Sequence, residues 1–396
     1  MSIVLAPLAA LILTTTPDDT WVSLFDGKTL DGWTQLNGTA KYAVVDGTIE
    51  GTTVKGSPNS FLCSDRFYGD FELEYEVKLH DNGLNSGVQI RSQSYPSYKS
   101  GRVHGYQVEI ATNGTSGYIY DEARRGWLSK DRKNAEANAA FKKGEWNRYR
   151  VVCDGDSLKT WVNDVPVANV KDSLTASGFI GLQVHSVGGD PKWRVAWRNI
   201  RVKELGDGGG WSSLFDGKTL EGWTANENKG SCKVEDGAIV VGGKRCHLFY
   251  TGPVYSHSFK NFEFKAEVMT EPKANSGIYF HTTLQDSGWP SVGYEVQVNN
   301  SQGDWRRTAG LYGVEDIREP PAEDGKWFEV TIRVEGQRIT TAVDGKVLVD
   351  YTEPPNPERR DDMKKRLLNR GTFALQAHDP GSIVHYRNLR VKVLPE

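Results

Sequence analysis

Charge of one sign, cysteine and long apolar runs are all scarce in this 396-residue sequence. The 48 Lys and Arg side chains nearly balance the 51 Asp and Glu, and the net charge is −3. Electrostatics therefore give no reason to expect nucleic acid or an anionic membrane as a partner. The apolar run Ile3–Leu13 is shorter than the about 20 residues that a spanning helix needs. We therefore expect no transmembrane segment.

Several motifs of familiar enzymes are also missing from the sequence. It has no P-loop and no glycine fingerprint of a dinucleotide-binding fold. It has neither a G-x-S-x-G elbow nor an H-E-x-x-H zinc motif. No local pair of carboxylates marks a glycosidase, although such pairs can be assembled from distant strands. Kinase-like, dehydrogenase and serine-hydrolase chemistry are thus not indicated, and no cofactor is evident.

The N-terminus and the four cysteines bear on the cellular compartment. Ile3–Leu13, followed by polar residues, has the length of a signal-peptide core. We expect residues 1–20 to direct export to the periplasm or the exterior, with a buried N-terminal segment as the alternative. Cys63 and Cys153 fall in one half of the chain, and Cys232 and Cys246 in the other. An exported chain could form one disulfide per half, with buried free thiols as the alternative.

Glycine and aromatic residues are abundant instead, with 42 Gly, 12 Trp, 16 Tyr and 14 Phe. Phe71–Leu79 alternates apolar and charged residues without a break, and Phe262–Val268 repeats the pattern, as expected of half-buried strands. Helical periodicity is confined to Lys133–Lys142 and Asp361–Leu368. Many short strands separated by turns predict an all-β fold, a two-sheet β-sandwich or jelly roll.

An internal duplication organises the chain. Residues 21–34 read WVSLFDGKTLDGWT and residues 211–224 read WSSLFDGKTLEGWT, with 12 of 14 positions identical. Later short motifs recur in the same order, and a period this long indicates two homologous domains rather than a solenoid. We assign residues 1–20 to the export segment, 21–205 to the first domain, 206–210 to a glycine-rich linker and 211–396 to the second domain.

Strand alternation also predicts which polar side chains share a face. Where Val88 and Ile90 point into the core, Gln89 and Arg91 should point outward, and two more strands in each half follow this rule. The resulting face carries amide, carboxylate and imidazole groups, which suit a hydroxyl-rich ligand. In the first half its members are Gln89, Arg91, Gln107, Glu109, Gln183 and His185. In the second half they are Tyr279, His281, Glu295, Gln297, Asn299, Gln376 and His378.

Loops beside this face supply candidate rim residues. Arg124, Arg125 and Trp127 in the first half combine guanidinium groups with an indole, the mixture that holds a sugar by hydrogen bonds and stacking. The second half offers Trp289, Trp305, Arg306 and Arg307. Ordinary solvated faces and loops, and structural histidines, are the alternative interpretation. Lys364, Lys365 and Arg366 are interpreted as a solvated helix face.

The repeated motifs resemble the 3-keto-disaccharide hydrolase domain family. The resemblance rests on LFDGKTL-[DE]-GW, the NSG strands, GYQVEI and GYEVQV, GEW, LQVH and LQAH, and the closing RNIRV and RNLRV. It covers Trp21 to Val202 and Trp211 to Val393. It implies a concanavalin-like jelly roll in each domain, export, and action on glycosides whose sugar carries a 3-keto group. The shared face it implies includes Asn85 and Asn275.

The two halves depart from the family pattern in different ways. The family's Tyr-Glu-x-Gln order is present at Tyr294–Gln297, whereas Tyr106–Glu109 has Gln and Glu exchanged. An acidic residue that often follows this strand in the family is replaced by Ala111 and Asn299. Equal activity of the two domains is therefore in doubt.

A 3-keto group acidifies the C2 hydrogen, so hydrolysis by elimination and hydration needs a base, an oxyanion stabiliser and an acid. His185 and His378 suit the base, and Glu109 and Glu295 suit the acid or the group that orients the histidine. Arg91, Arg124 or His281 could stabilise the enolate, and a divalent cation could replace them. Because no dinucleotide site is present, a separate sugar 3-oxidoreductase must supply the substrate.

Two other functions fit the same residues. Concanavalin-like sandwiches are frequent carbohydrate-binding modules, and a fold does not fix a function. Tandem duplication would also give such a module avidity on a polymer. A structural surface protein explains the repeat but not the Gln, Glu and His face.

Overall fold

The computed structural model describes residues 21–206 and 208–396. The predicted export segment and residue 207 of the predicted linker lie outside the described residues, so export stays a prediction. Within the described part, no helix has both the length and the apolar character needed to cross a membrane. The regular structure of the described residues consists almost entirely of antiparallel β-sheets, as the alternation predicts.

The first half forms fifteen of the described strands and one short helix. The strands are β1 (Val22–Ser23), β2 (Trp33–Leu36), β3 (Lys41–Val45), β4 (Thr48–Thr52), β5 (Ser60–Ser64), β6 (Phe71–Leu79), β7 (Ser86–Gln93), β8 (His104–Ile110), β9 (Ile119–Glu122), β10 (Gly126–Trp127), β11 (Asn147–Asp154), β12 (Ser157–Val162), β13 (Val165–Lys171), β14 (Phe179–Val184) and β15 (Arg194–Glu204). The helix α1 (Ala135–Ala139) lies within the predicted helical stretch, and the Asn134 side chain caps it by accepting from Ala137 N.

The second half repeats this arrangement with thirteen described strands. They are β16 (Trp211–Ser213), β17 (Trp223–Ala225), β18 (Cys232–Glu235), β19 (Ala238–Val241), β20 (Cys246–Tyr250), β21 (Phe262–Thr270), β22 (Ser276–Thr282), β23 (Tyr294–Val298), β24 (Phe328–Glu335), β25 (Arg338–Val343), β26 (Lys346–Thr352), β27 (Thr372–Ala377) and β28 (Val384–Val393). Three 3-10 turns lie at Lys229–Ser231, Val254–His257 and Asp361–Met363. The helix predicted at Asp361–Leu368 is therefore wrong beyond its first turn.

Each half is a sandwich of two sheets, which confirms the predicted class. One sheet has the order β13-β12-β11-β6-β15-β4-β3 in the first half and β18-β19-β28-β21-β24-β25-β26 in the second, with β1 and β16 beside the long strand. The other sheet, called here the polar sheet, has the order β10-β9-β8-β7-β14-β5-β2 and β17-β20-β27-β22-β23. The alternating apolar residues of β6 and β21 are fully buried between the layers.

The most repeated sequence motif serves the fold rather than a ligand. In LFDGKTL the Asp26 carboxylate accepts from the backbone N–H groups of Lys28 and Thr29, which closes a turn, and Asp216 does the same in the second half. The following Trp33 and Trp223 are buried and donate their indole N–H to a backbone carbonyl. The motif therefore fixes the entry into each sandwich.

The closing RN motif is structural as well. Arg198 stacks on Trp146 of the GEW motif at 4.1 Å and donates to Glu76, and Arg387 repeats this on Trp327 at 4.0 Å. The asparagines that follow these arginines lie in left-handed backbone regions at a bulge of β15 and β28. These groups lie on the sheet opposite the polar sheet.

The loop after β7 supplies contacts between the halves. Tyr95 is 2% exposed and belongs to the hydrophobic core of the second half. Its ring stacks on Tyr255 at 4.5 Å, and its hydroxyl bonds to Ser256 at 3.0 Å. One half is thus anchored in the core of the other.

Candidate active site

The polar sheet of the second half forms the wall of a cavity of about 740 Å³. The cavity brings together five side chains that the sequence predicts as site residues, with Tyr279 and Trp289 beside them. The five are Asn275, Glu295, Gln297, Gln376 and His378. They lie in β23 and β27 or directly beside the ends of β22 and β27, and these three strands are neighbours in the sheet.

Glu295 is the central carboxylate of this cavity. It is 4% exposed and accepts from Gln376 Nε2 at 3.0 Å and from Arg366 Nη2 at 3.1 Å. Gln376 Nε2 also lies 3.0 Å from the Tyr279 hydroxyl. Burial raises the pKa of Glu295, although Arg366 and the hydrogen bonds from Tyr279 and Gln376 oppose the rise.

The NSG motif at the start of β22 leaves room for the Glu295 side chain. A Cβ on Gly277 would lie 2.5 Å from the Glu295 carboxylate oxygen, so only glycine leaves room for that side chain. Ser276 donates to the backbone carbonyl of Gln376, and Asn275 accepts from Gln297 Nε2 at 2.6 Å. The first half uses the same motif, since a Cβ on Gly87 would meet the Gln107 side chain at 2.5 Å.

Arg366 overturns one sequence interpretation. The sequence predicts a solvated helix face at residues 364–366, but this segment is irregular and lines the cavity. The Arg366 side chain is 12% exposed, pairs with Glu295 and lies over the Tyr279 ring at 5.2 Å. Desolvation opposes its charge, yet Glu295 and Tyr279 outweigh this and raise the pKa of Arg366. Strand periodicity could not find this residue because it comes from a loop.

His378 follows β27 directly and lines the same cavity. Its Nδ1 donates to Asp379 Oδ2 at 2.7 Å, and Asp379 also accepts from Ser382 at 2.8 Å. Since a carboxylate only accepts, Nδ1 carries a proton, and the neutral tautomer with this bond has its lone pair on Nε2. The Trp289 ring lies 5.3 Å from the imidazole. A histidine oriented by a carboxylate is a suitable general base.

Unpartnered hydrogen-bonding atoms are concentrated on this face. Of the eleven buried side-chain atoms without a partner in the described residues, six belong to five residues of this sheet and its covering loop: His247, Thr282, Gln297, Arg366 and Gln376. They include donors and acceptors together. Because a hydroxyl group both donates and accepts, a sugar would satisfy both kinds.

In the polar sheet of the first half, the polar side chains form more hydrogen bonds with one another. Gln107 Oε1 accepts from Gln89 at 2.5 Å and from Gln183 at 2.9 Å. Glu109 accepts from Gln107 at 2.9 Å and from Asn85 at 2.5 Å. Burial raises the pKa of Glu109 to about 7, since the two amide hydrogen bonds only partly offset it and Glu122 adds to it.

His185 lacks the carboxylate that orients His378. Its Nδ1 bonds to the backbone carbonyl of Ser186 at 2.7 Å, because serine stands where the second half has Asp379. The two histidines therefore occupy equivalent strand ends in different chemical settings.

Two predicted ligand-binding residues do not join the polar faces, and strand alternation is wrong at both. Arg91 and His281 lie at β-bulges with positive φ of 45° and 54°. Arg91 is 1% exposed and binds the carbonyls of Gly69 and Gly155 and the Asp70 carboxylate. The inserted residue of a bulge breaks the two-residue period, so the side chain leaves the face.

His281 has backbone partners at both ring nitrogens. Nε2 donates to the Lys260 carbonyl at 2.8 Å and Nδ1 accepts from Asn369 N at 3.1 Å. Burial lowers its pKa to about 4, despite the bond to Lys260. It anchors the segment that carries Arg366 instead of facing the cavity.

The predicted rim residues of the first half bind carboxylates or pack against an aromatic ring. Arg124 and Arg125 both bind Asp121, and Arg125 also binds Asp172 through two bonds of 2.9 and 3.0 Å. Trp127 packs edge-on against Tyr120 at 5.1 Å, beside Gln107 across β8 and β9.

In the second half, Asn299, Trp305, Arg306 and Arg307 join His281 outside the set that lines the cavity. Asn299 donates to the carbonyls of Asp304 and Arg306 and so holds a turn. Trp305 is 40% exposed between Arg306 and Arg318.

His247 is a site residue that the sequence analysis missed. It lies in β20 opposite Gln376, with the Tyr279 ring at 5.4 Å and the Trp289 ring at 5.3 Å. The signal was present, because Cys246 and Leu248 are core residues and His247 alternates with them. Asp379 was missed because it lies beyond the end of the strand.

In residues 21–206 and 208–396, no three His, Cys, Asp or Glu side chains are grouped as a metal site. The sequence expectation that a divalent cation could serve the reaction therefore finds no ready donor set in the described residues.

Comparisons with known proteins place both halves in one family. The sequence model of the 3-keto-alpha-glucoside-1,2-lyase-like domain matches residues 20–203 and 210–392. A 3-keto-disaccharide hydrolase of Bacteroides thetaiotaomicron is 25% identical over 233 residues, which are 48% of this chain and 80% of that protein.

Solved structures also resemble the chain. A candidate glycosyl hydrolase from Parabacteroides distasonis is 20% identical with a TM-score of 0.40, covering 47% of this chain and 94% of its own. A carbohydrate binding module from Bacillus subtilis is 18% identical with a TM-score of 0.34, covering 43% of this chain and 95% of its own.

Proposed function

The chain belongs to the 3-keto-alpha-glucoside-1,2-lyase-like domain family, and we propose on that premise that it cleaves the glycosidic bond of sugars oxidised at C3. We further propose that the second half performs the reaction. The observation that carries this assignment is the cavity in which Glu295, Arg366, Gln376 and His378 converge beside unpartnered donors and acceptors.

The ketone makes an elimination feasible. A base removes the C2 proton, and the C–H electron pair enters an enolate whose oxygen was the C3 carbonyl. Collapse of the enolate forms the C1–C2 double bond and breaks the C1–O bond, so the electron pair leaves with the aglycone oxygen, which takes a proton from an acid. Water then adds its hydroxyl to C1 and its proton to C2. The net result is hydrolysis to a 3-keto-sugar and an alcohol.

Three side chains match these steps. His378, held by Asp379 through Nδ1, offers Nε2 of its neutral tautomer as the base. Arg366 Nη1 has no partner and can receive the developing oxyanion. The raised pKa of Glu295, caused mainly by burial, favours the protonated form that an acid for the leaving group requires. Gln376 and Tyr279 hold that carboxyl in place.

The substrate requirement also defines a place in a reaction sequence. An oxidoreductase that oxidises the C3 hydroxyl of a glycoside must act first, because the unoxidised sugar lacks the acidic C2 proton.

A test uses a 3-keto-glucoside with a chromogenic leaving group and the unoxidised glucoside beside it. We expect release from the keto compound alone, and a loss of about 100-fold or more in kcat for His378→Gln, in the range of general base catalysis. The matched control His185→Gln should retain the wild-type rate. Loss in His185→Gln with full activity in His378→Gln would refute the assignment to the second half.

A second candidate, sugar binding without catalysis, suits the first half. The Trp127 and Tyr120 rings stand at the edge of its polar face, where a sugar can stack, and His185 lacks an orienting carboxylate. If the wild type releases no chromophore from either glucoside with and without EDTA, binding to an array of glycans becomes the favoured function.

A further inference from the structure

His247 combines complete burial with a lack of partners. It is 0% exposed, and neither ring nitrogen has a hydrogen bond. Burial lowers its pKa to about 3, so the imidazole is neutral and carries one donor and one acceptor. Leaving such groups unpaired costs about 1–3 kcal/mol each. Native proteins retain such a cost where a group has a function.

Trp289 separates His247 from the cavity. The indole lines the cavity and is 42% exposed, and its ring centroid lies 5.3 Å from the His247 ring and 5.3 Å from the His378 ring. The backbone around it is held, since Gly288 N donates to Glu227 at 2.9 Å and Gln285 donates to the Trp289 carbonyl at 2.9 Å. The indole side chain is therefore the part of this loop whose movement would bring the imidazole into contact with a ligand.

The neighbours of His247 point to the same ligand region. Gln376, its cross-strand partner, holds Glu295 through Nε2 while its Oε1 has no partner. The unpartnered atoms of His247 and Gln376 therefore adjoin the proposed acid. In the first half the equivalent position, opposite Gln183, is the buried Phe61. The sheet thus accepts an apolar ring here, and the imidazole is not required by the fold.

We propose that a bound sugar displaces the Trp289 indole and that His247 then donates its N–H to the C3 carbonyl oxygen of the substrate. The inference rests on the proposed function. As the C2 proton leaves, negative charge grows on that oxygen, and a neutral imidazole donor stabilises it without transferring its own proton. Only a C3 ketone develops this charge, so the contribution of His247 to the rate applies to the keto-sugar alone.

The test compares His247→Phe, which reproduces the residue of the first half, with wild type on the chromogenic 3-keto-glucoside. We expect a fall in kcat of about 100-fold or more, as for the loss of one oxyanion donor, and partial recovery in His247→Gln. The control is His385→Phe on the opposite sheet, where the imidazole bonds only to Glu271 at 3.3 Å. A wild-type rate in His247→Phe would overturn the inference while leaving the proposed function standing.

A second readout does not depend on turnover. Diethyl pyrocarbonate modifies accessible neutral imidazoles, and peptide mass spectrometry locates the product. We expect slow modification of His247 in the wild type, rapid modification in Trp289→Ala, and protection of that variant by free 3-keto-glucose, with His185 as the internal reference.

The two readouts separate the possible failures. If the wild type cleaves no 3-keto-glucoside but the sugar protects His247, the proposed reaction fails and the binding role of His247 is supported. If Trp289→Ala leaves His247 unreactive, or the sugar gives no protection, the inference is overturned whatever the activity.

Discussion

The two buried glutamates of the polar sheets differ by two residues in their pairing with the neighbouring strand. Glu109 lies opposite Gly87, whereas Glu295 lies opposite Tyr279. A shift of two residues keeps the side chain on the same face but moves the carboxylate toward a different set of neighbours. Glu295 thereby reaches Arg366, while Glu109 is held by two amides. Because Gln and Glu are exchanged between the two halves, the buried carboxylates have different partners and therefore different chemical roles.

We predict that Glu109→Gln makes the stability of the protein less dependent on pH. The pKa of Glu109 is raised by burial from 4.5 to about 7. The folded state favours the protonated carboxyl, so Glu109 stabilises the fold most below about pH 4.5. This stabilisation is lost as the pH rises to about 7, at up to about 1.4 kcal/mol per pH unit. Glutamine cannot ionise, and Gln297 fills the equivalent place in the second half with Asn275 accepting.

Urea unfolding at pH 5, 6, 7 and 8 checks this, with Glu109→Gln compared with the wild type. The stability of the variant relative to the wild type should grow between pH 5 and 7 and then level off. A difference that stays constant over the whole range would contradict the raised pKa.

The sequence predicts the polar side chains that lie in regular strands. Gln89, Gln107, Gln183, Glu295 and Gln376 follow from alternation alone. Arg91 and His281 do not, because a bulge resets the period at a point that no residue type marks. Arg366 and Asp379 come from loops, and loop positions are fixed by tertiary contacts rather than by periodicity.

At the scale of elements, equivalent loops of the two halves have different structural roles. The loop between β7 and β8 carries Tyr95 into the other half, whereas the loop between β22 and β23 places Trp289 over His247 and His378. Loops vary more than the strands they connect. The sequence therefore predicts the repeated sandwich but not which loop closes a cavity and which loop joins the halves.

The two sheets of the second half also meet through a thiol pair. Cys232 lies in β18 of one sheet and Cys246 in β20 of the other, and their buried sulfur atoms are 3.7 Å apart. We predict that oxidised glutathione converts this pair to a disulfide, with reduction of the glutathione. The loop of about 15 residues implies a gain of about 3 kcal/mol.

Peptide mass spectrometry and thermal unfolding measure the bond. The melting temperature should rise by several degrees on oxidation, and this gain should be absent in Cys232→Ser. Cys63 and Cys153 belong to separate core clusters and should remain thiols. Oxidation without a change in melting temperature would contradict the predicted gain, because the disulfide would add no stability to the packing that already joins the two sheets.

At the scale of the whole molecule, the duplication has become asymmetric. The face of the first half is closed by its own amides, and its loop supplies Tyr95 to the second half. Arg370 lies over the Tyr95 ring at 5.8 Å, four residues beyond Arg366 on the segment that His281 anchors through Asn369. The first half thus supports the segment that completes the cavity of the second. Sequence identity between the halves predicts the two folds but not this dependence.

We predict that Tyr95→Ala uncouples the halves. Removing a fully packed aromatic side chain from a core costs about 3–5 kcal/mol, and here the loss falls on the contact that joins the two cores. Calorimetry should show one cooperative transition for the wild type and two for the variant, and KM for the 3-keto-glucoside should rise as the Arg366 segment loosens. The control is Tyr42→Phe, whose hydroxyl bonds to Ser60 and Leu182 within the first half. It should lower stability while keeping a single transition and the wild-type KM. Two separate transitions in the wild type would mean that Tyr95 adds contact area without coupling the halves.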